Sequence, residues 1–242
     1  MSTVQQRRRR PSIRPPLTRE RIVAAALALI EEDGLAAFST RKLGERLACE
    51  AMSIYHHFPS KQHLLDALVE HALATVEVPE PGPDGEERLR RTLDSYRAMA
   101  RRWPKLFPLV ALHRLNMPAG IRFIESVLRV IHWKMQDPEL TARHFRAMGY
   151  YLIGACLEET AGYAKGPSAA EPVDDEFVAR EAPHLAMVAR HFAPSEWQQT
   201  WQLGVDALIA RGNADAEALA ARRASRAGRR RAKRARPPGR AP

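Results

Sequence analysis

Phe38–Leu65 reads FSTRKLGERLACEAMSIYHHFPSKQHLL. Leu43 and Leu47 stand four residues apart and share one face of a short helix. Ser39 or Thr40 can cap its start, because either hydroxyl accepts a free backbone N–H there. Ala48-Cys49-Glu50-Ala51 leaves room only for a corner. A second short helix, about Ala51 to His57, carries Ser53, Tyr55, His56 and His57. Pro59 stops it, and Ser60 caps the helix that follows. Two short helices joined by a turn of a few residues form a helix-turn-helix, a shape that lays its second helix in a DNA major groove.

The run STRKL, the corner, the segment IYHHF and the run SKQHLLDAL resemble, in this order and spacing, the DNA-binding domain of the TetR (tetracycline repressor) family over about Thr18–Leu68. Beyond Leu73 the similarity continues in helical layout and in the closing stretch APSEWQQTWQLGVDALI. The resemblance implies an all-α chain: an N-terminal three-helix helix-turn-helix DNA-binding domain, then a C-terminal helical ligand-binding and dimerisation domain. It implies a transcriptional regulator, expected to be a repressor, that binds a palindromic double-stranded DNA operator as a homodimer and is released by a small-molecule effector. Thr40 and Arg41 match positions that touch the DNA backbone or a base. Met52, Ser53 and Ile54 match the groove-facing start of the recognition helix. Tyr55 and His57 match phosphate-contacting positions, with Lys61 beyond them.

Two departures stand out. Ala48 occupies a corner position where the family often has glycine, which strains a left-handed turn. The recognition helix has no Arg, Lys, Asn or Gln at its start. Base readout is therefore expected to rest on Arg41, on apolar contact with thymine methyls and on DNA shape.

The remaining sequence bounds the alternatives. The 242 residues carry a formal net charge of +10, unevenly spread. Residues 1–17 hold five Arg and no acid, and residues 211–242 hold eleven Lys/Arg against two acids. Residues 18–210 are slightly acidic, with 22 basic and 26 acidic side chains. The basicity thus sits in the tails, and the helix-turn-helix argues for DNA better than the overall charge does. The rival expectation is a non-specific nucleic-acid-binding protein driven by those Arg-rich tails. No apolar run long enough to span a bilayer occurs, and no apolar core follows the basic N-terminus, so neither a membrane span nor a secretory signal is expected. Two isolated cysteines, Cys49 and Cys156, fit a reducing cytoplasm.

In chain order, residues 1–17 read as a disordered Arg-rich arm whose Arg7–Arg10 suit phosphates or a minor groove. Residues 18–77 form the DNA-binding domain with its connecting helix, and residues 78–85, rich in Pro and Gly, form a loop. Residues 86–211 form the helical effector-binding and dimerisation domain, with a long helix from Pro138 to about Ala164 and a last helix from Ser195 to about Ile209. The wide apolar faces of those two helices suit pairing with a second copy. Residues 212–242 read as a basic, largely disordered tail.

No phosphate-binding Gly-rich loop, His-Glu-x-x-His or Gly-x-Ser-x-Gly motif is present. His56 and His57 are adjacent and face different ways on a helix, a poor metal pair. No enzyme activity, cofactor or metal is expected. The second domain is expected to take a drug-like, lipophilic effector among Trp103, Phe107, His113, Trp133, Tyr150, Tyr151 and Glu158.

Overall fold

The computed structural model describes residues 16–113, 115–162 and 166–234, and every regular element among them is helical. The chain divides into two compact units at Leu65/Asp66. Most of the Arg-rich arm, including Arg7–Arg10, and the end of the tail lie outside the described residues.

The first unit is built on α1 (Arg19–Asp33), α2 (Thr40–Leu47), α3 (Ala51–Tyr55) and the start of α4 (Lys61–Leu73). Thr18 caps α1, its Oγ1 accepting from the Arg21 N–H at 3.3 Å. Gly34 ends α1 at φ 86°, a conformation that a side chain would strain, and its N–H closes on the Ile30 carbonyl at 2.8 Å. Ile22, Ala26, Ile30, Phe38, Leu43, Ile54 and Phe58 are almost wholly buried. This apolar set holds three short helices that would not persist alone.

The second unit contains the remainder of α4, then α5 (Gly85–Arg102), α6 (Phe107–Leu112), α7 (Pro118–Met135), α8 (Pro138–Ala161), α9 (Asp175–Glu181), α10 (Pro183–Val188) and α11 (Trp197–Arg234). Pro118 opens α7 in its first turn, where a proline loses no hydrogen bond. Asp137 caps α8 through the Leu140 N–H at 2.9 Å. The core joins α5, α7, α8 and α11 through Leu93, Val130, Ile131, Met148, Trp201 and Val205.

The division falls inside α4, not in the loop at 78–85. The far half of α4 buries Leu68, Val69, Ala72 and Leu73, Asp66 bonds to His113, and His71 meets the Trp103 ring edge-on at 5.8 Å. The loop is tied down as well: Arg129 reaches Glu80 at 2.8 Å, and Arg88 donates to the Glu80 carbonyl.

The last helix runs to Arg234, well past the expected end near Ile209, so residues 212–234 are helical rather than disordered. Alanine and arginine favour the helix, and no proline interrupts it before Pro237. Its continuation is anchored by His144 Nε2 to Asp215 at 3.0 Å and by Arg223 to the Gln136 carbonyl at 2.7 Å.

A buried polar node joins α5, α8 and α11. The Arg97 guanidinium donates to both Glu159 oxygens, at 2.7–3.0 Å, and to Gln198 Oε1 at 2.7 Å. Arg97 also lies over the Trp201 ring at 4.8 Å, and the Trp201 indole donates to Asp94 at 2.6 Å.

Candidate nucleic-acid interface

Ser39, not Thr40, caps α2, accepting from the Lys42 N–H at 3.2 Å. Thr40 is thereby released, and its hydroxyl lies 3.3 Å from the Tyr55 hydroxyl, linking the start of α2 to the end of α3. Arg41 leaves 87% of its side chain exposed and pairs only with Glu45 one turn on, at 3.4 Å. An exposed pair of this kind is worth about 0.3–0.5 kcal/mol, little obstacle to a phosphate or guanine edge. Lys42 and Arg46 are instead committed to Asp33 and Glu32 on α1, which fixes α2 against that helix.

The corner is tight. Ala48 sits at φ 54°, ψ 44°, the left-handed turn its position called for, and Cys49 N–H returns to the Gly44 carbonyl at 2.9 Å. A Cβ on Gly44 would stand 2.8 Å from the Cys49 carbonyl oxygen and 3.3 Å from the Ala51 nitrogen. Gly44, rather than the corner residue, is therefore where only glycine fits. An isolated glycine inside a helical pattern was the available signal for it.

On α3, Met52 is 64% exposed and Ser53 partly so, at the start of the helix. Ile54 is a correction: it is fully buried. In a five-residue helix, one side must face the core, and Ile54 is the apolar residue that fills it. Tyr55 and His57 are half-buried. The helix ends at Tyr55, and the His57 carbonyl accepts from Arg19, whose guanidinium also covers the Phe58 ring at 4.1 Å. Arg19 and Phe58 thus fix the exit of the recognition helix, a role the sequence pattern did not reveal. Lys61 is exposed at the start of α4 but leans back, donating to the Phe38 carbonyl at 3.0 Å. Its ammonium has three protons, so the other two remain for a phosphate. Apart from Ile54, the nominated residues gather on the two short helices and at the start of α4.

The nominated effector residues do not gather. Trp103 and Phe107 are core, 8% and 0% exposed. Tyr151 stacks on Trp201 and donates to the Trp201 carbonyl at 3.0 Å, Tyr150 is 67% exposed, and Glu158 is exposed. His113 Nε2 lies 3.0 Å from Asp66. Trp133 alone of the seven lines a cleft of about 620 Å³ between α7 and α8, with Glu80, Glu125, Arg129, His132 and Gln136. Helical periodicity placed all seven in the second unit but could not tell which faces turn toward one cavity. Burial pushes the Tyr96 phenol well above its ordinary range and the Cys156 thiol up to about 12. No group of three His, Cys, Asp or Glu among the described residues is placed to hold a metal, and no described helix is long and apolar enough to cross a membrane.

A helix-turn-helix unit followed by a wholly helical second unit is the architecture of a DNA-binding regulator. Residues 22–68 match the model of bacterial regulatory proteins of the tetR family. The chain is 30% identical over 204 residues to a tetracycline repressor protein of class G from Vibrio anguillarum, covering 78% of this chain and 90% of that one. It also resembles the crystal structure of ActR from Streptomyces coelicolor in complex with actinorhodin, with a TM-score of 0.67 and 26% identity over 84% of this chain and 99% of that one. A TetR variant from Acinetobacter baumannii in complex with minocycline superimposes with a TM-score of 0.59 at 26% identity, over 81% of this chain and 96% of that one. The chain belongs to the TetR family of transcriptional regulators.

Proposed function

We propose that this chain is a cytoplasmic repressor that binds a palindromic operator as a homodimer and leaves it when a small, largely apolar effector binds the second unit. The observation that carries this reading is that Arg41, Met52 and Lys61 are exposed, and Thr40, Ser53, Tyr55 and His57 partly so, around a tight, glycine-dependent corner. Arg41 reads a base edge or phosphate, Met52 meets thymine methyls, and Tyr55, His57 and Lys61 hold the backbone. The relatives named above include a tetracycline repressor and proteins crystallised with actinorhodin and minocycline, which supports an effector of antibiotic size.

Dimerisation is favoured by α8 and α11. Tyr150 and Leu203 are 67% and 72% exposed, and Gly149 and Gly154 have open space where a side chain would stand. Such a surface admits a second copy closely. Release follows from α4, which carries Lys61 at one end and Asp66 and His71 further along. His113 and Trp103 touch those last two residues. An effector that shifts α6 and the end of α5 changes the pose of α4, and so the population of heads spaced for the operator.

The test is a gel shift with a palindrome from the gene's own upstream region, repeated with tetracycline, minocycline and actinorhodin. Binding at about 0.1 M salt that Arg41→Ala weakens by tenfold or more is expected; absence of operator binding by the unmodified chain refutes the repressor reading. The family assignment disfavours a protein whose nucleic-acid binding rests on its tails alone.

A further inference from the structure

We propose that the C-terminal part of α11 is a second, sequence-independent contact for double-stranded DNA, separate from the helix-turn-helix. After Arg223, held by the Gln136 carbonyl, the helix continues for eleven residues to Arg234, about 16 Å of rigid rod. Residues 224–242 hold eight Lys/Arg and no Asp or Glu. Positions 222, 226, 229 and 233 follow a spacing of four, three and four, so they fall on one side of the helix. Arg222, Arg226 and Arg229 are exposed, and no ion pair to them occurs among the described residues. The described basic residues of this helix that do pair, Arg211 with Asp215 and Arg223 with Asp137, lie nearer the body of the unit.

The composition selects the partner. A membrane-surface helix needs an apolar face, and residues 220–242 supply none larger than alanine and proline. A single strand is gripped by aromatic stacking, and residues 202–242 contain no Phe, Tyr, Trp or His. Adenine readout by a paired amide is excluded, because no Asn or Gln occurs after Asn213, and Ser225 is the one uncharged polar side chain in residues 224–242 beside these arginines. Closely spaced arginines on a helix whose other residues here are alanine, Ser225 and Gly228, all uncharged, match the phosphates of a duplex, which carries one charge per about 1.7 Å of axis. A 16 Å rod spans about nine such charges, and one side of it reaches about four. The helical backbone beneath Arg226 and Arg229 is already ordered, so less is lost in placing them than for a disordered basic tail.

The experiment compares the full chain with a chain ending at Arg223 and with a full-length variant in which Arg226, Arg229, Arg230, Arg231, Lys233 and Arg234 are all glutamine. The second variant keeps good helix formers, and circular dichroism checks that the helix persists. Binding to a random-sequence 30-base-pair duplex is measured from 50 to 200 mM salt. About four phosphate contacts give a slope steeper by about 3–4 in log K against log salt, so the full chain loses about a hundredfold more affinity than either variant over that range. At 50 mM salt it binds at least tenfold tighter than they do. Equal slopes and affinities in all three proteins overturn the proposal. So does tail-dependent binding to vesicles of phosphatidylserine and phosphatidylcholine, or to poly(dT), with duplex binding unchanged. The random duplex contains no operator, so this result is independent of the repressor reading, which the operator gel shift alone decides.

Discussion

Removing either member of the buried Arg97–Glu159 pair should destabilise the second unit far more than removing both. The two side chains are each 6% exposed. Arg97 Nε stands 3.0 Å from both carboxylate oxygens, Nη2 2.7 Å from one, and Nη1 2.7 Å from Gln198. At about 3 Å and an effective dielectric near 20, the attraction is about 5 kcal/mol. Taking both ions out of water costs several kcal/mol each, so the intact pair contributes little net. Glu159→Gln or Arg97→Met leaves one buried charge without its counterion and should cost about 3–5 kcal/mol. The double variant Arg97→Met/Glu159→Leu should lie within about 1–2 kcal/mol of the parent, because no uncompensated charge remains. Urea unfolding followed by circular dichroism, at one protein concentration because association contributes to stability, gives all four corners of the cycle. Single variants costing under about 1 kcal/mol, or a double variant equal to their sum, would show that water reaches the pair and would refute its burial.

Four further outcomes are expected. Gly44→Ala should lower stability by about 1–3 kcal/mol and abolish DNA binding, because its Cβ meets two backbone atoms of the corner; Ala48→Gly should be neutral or stabilising by up to about 1 kcal/mol, and thermal unfolding reads both. Leu203→Asp, on the exposed face of α11, should shift the chain from dimer to monomer in light scattering and weaken operator binding at least tenfold. Cys156, 1% exposed and with its pKa pushed up to about 12 by burial, should resist alkylation at pH 8 until denaturant is added, whereas the half-buried Cys49 should react in the folded chain, as mass spectrometry of tryptic peptides would show. The hydrogen bond from Arg211, then that from His144, hold the Asp215 carboxyl below its ordinary 3.8; the stability this gives is present above 3.8 and lost as pH falls through the lowered value, so Asp215→Asn should flatten the loss of stability as pH falls below 3.8.

What was legible in the sequence follows how local its cause is. Caps, corner and helix order rest on residues within one turn of each other, and Ser39, Ala48, Ser60 and Pro138 mark elements that formed close to where they were expected. Arg19 over Phe58, the Arg97–Glu159 pair and the His113–Asp66 bond join residues 38 or more apart, and no periodicity reports on them. The nominated effector residues do not share one cavity for the same reason, because cavity lining is a property of several helices at once. Ile54 shows a finer limit: on a helix of five residues, a shift of one position turns a groove-facing side chain into a core one.

That correction bears on how this chain selects its operator. On the reading proposed above, with Ile54 in the core, the side chains that α3 turns to the groove reduce to Met52 and Ser53, one thioether and one hydroxyl. Neither forms the paired hydrogen bonds that distinguish guanine or adenine. Of the basic side chains on α2, Lys42 and Arg46 are held by Asp33 and Glu32, which leaves the exposed Arg41 as the one that this reading gives to the groove. Discrimination should therefore concentrate at the one or two base pairs that Arg41 reaches, each wrong base there costing about 1–3 kcal/mol. The steps beneath α3 should tolerate exchange among sequences that keep a thymine methyl or a similar groove width. Systematic base substitution across the operator should accordingly give a narrow peak of sensitivity in each half-site, flattened by Arg41→Ala. A broad profile that survives that substitution would place the readout on residues other than these.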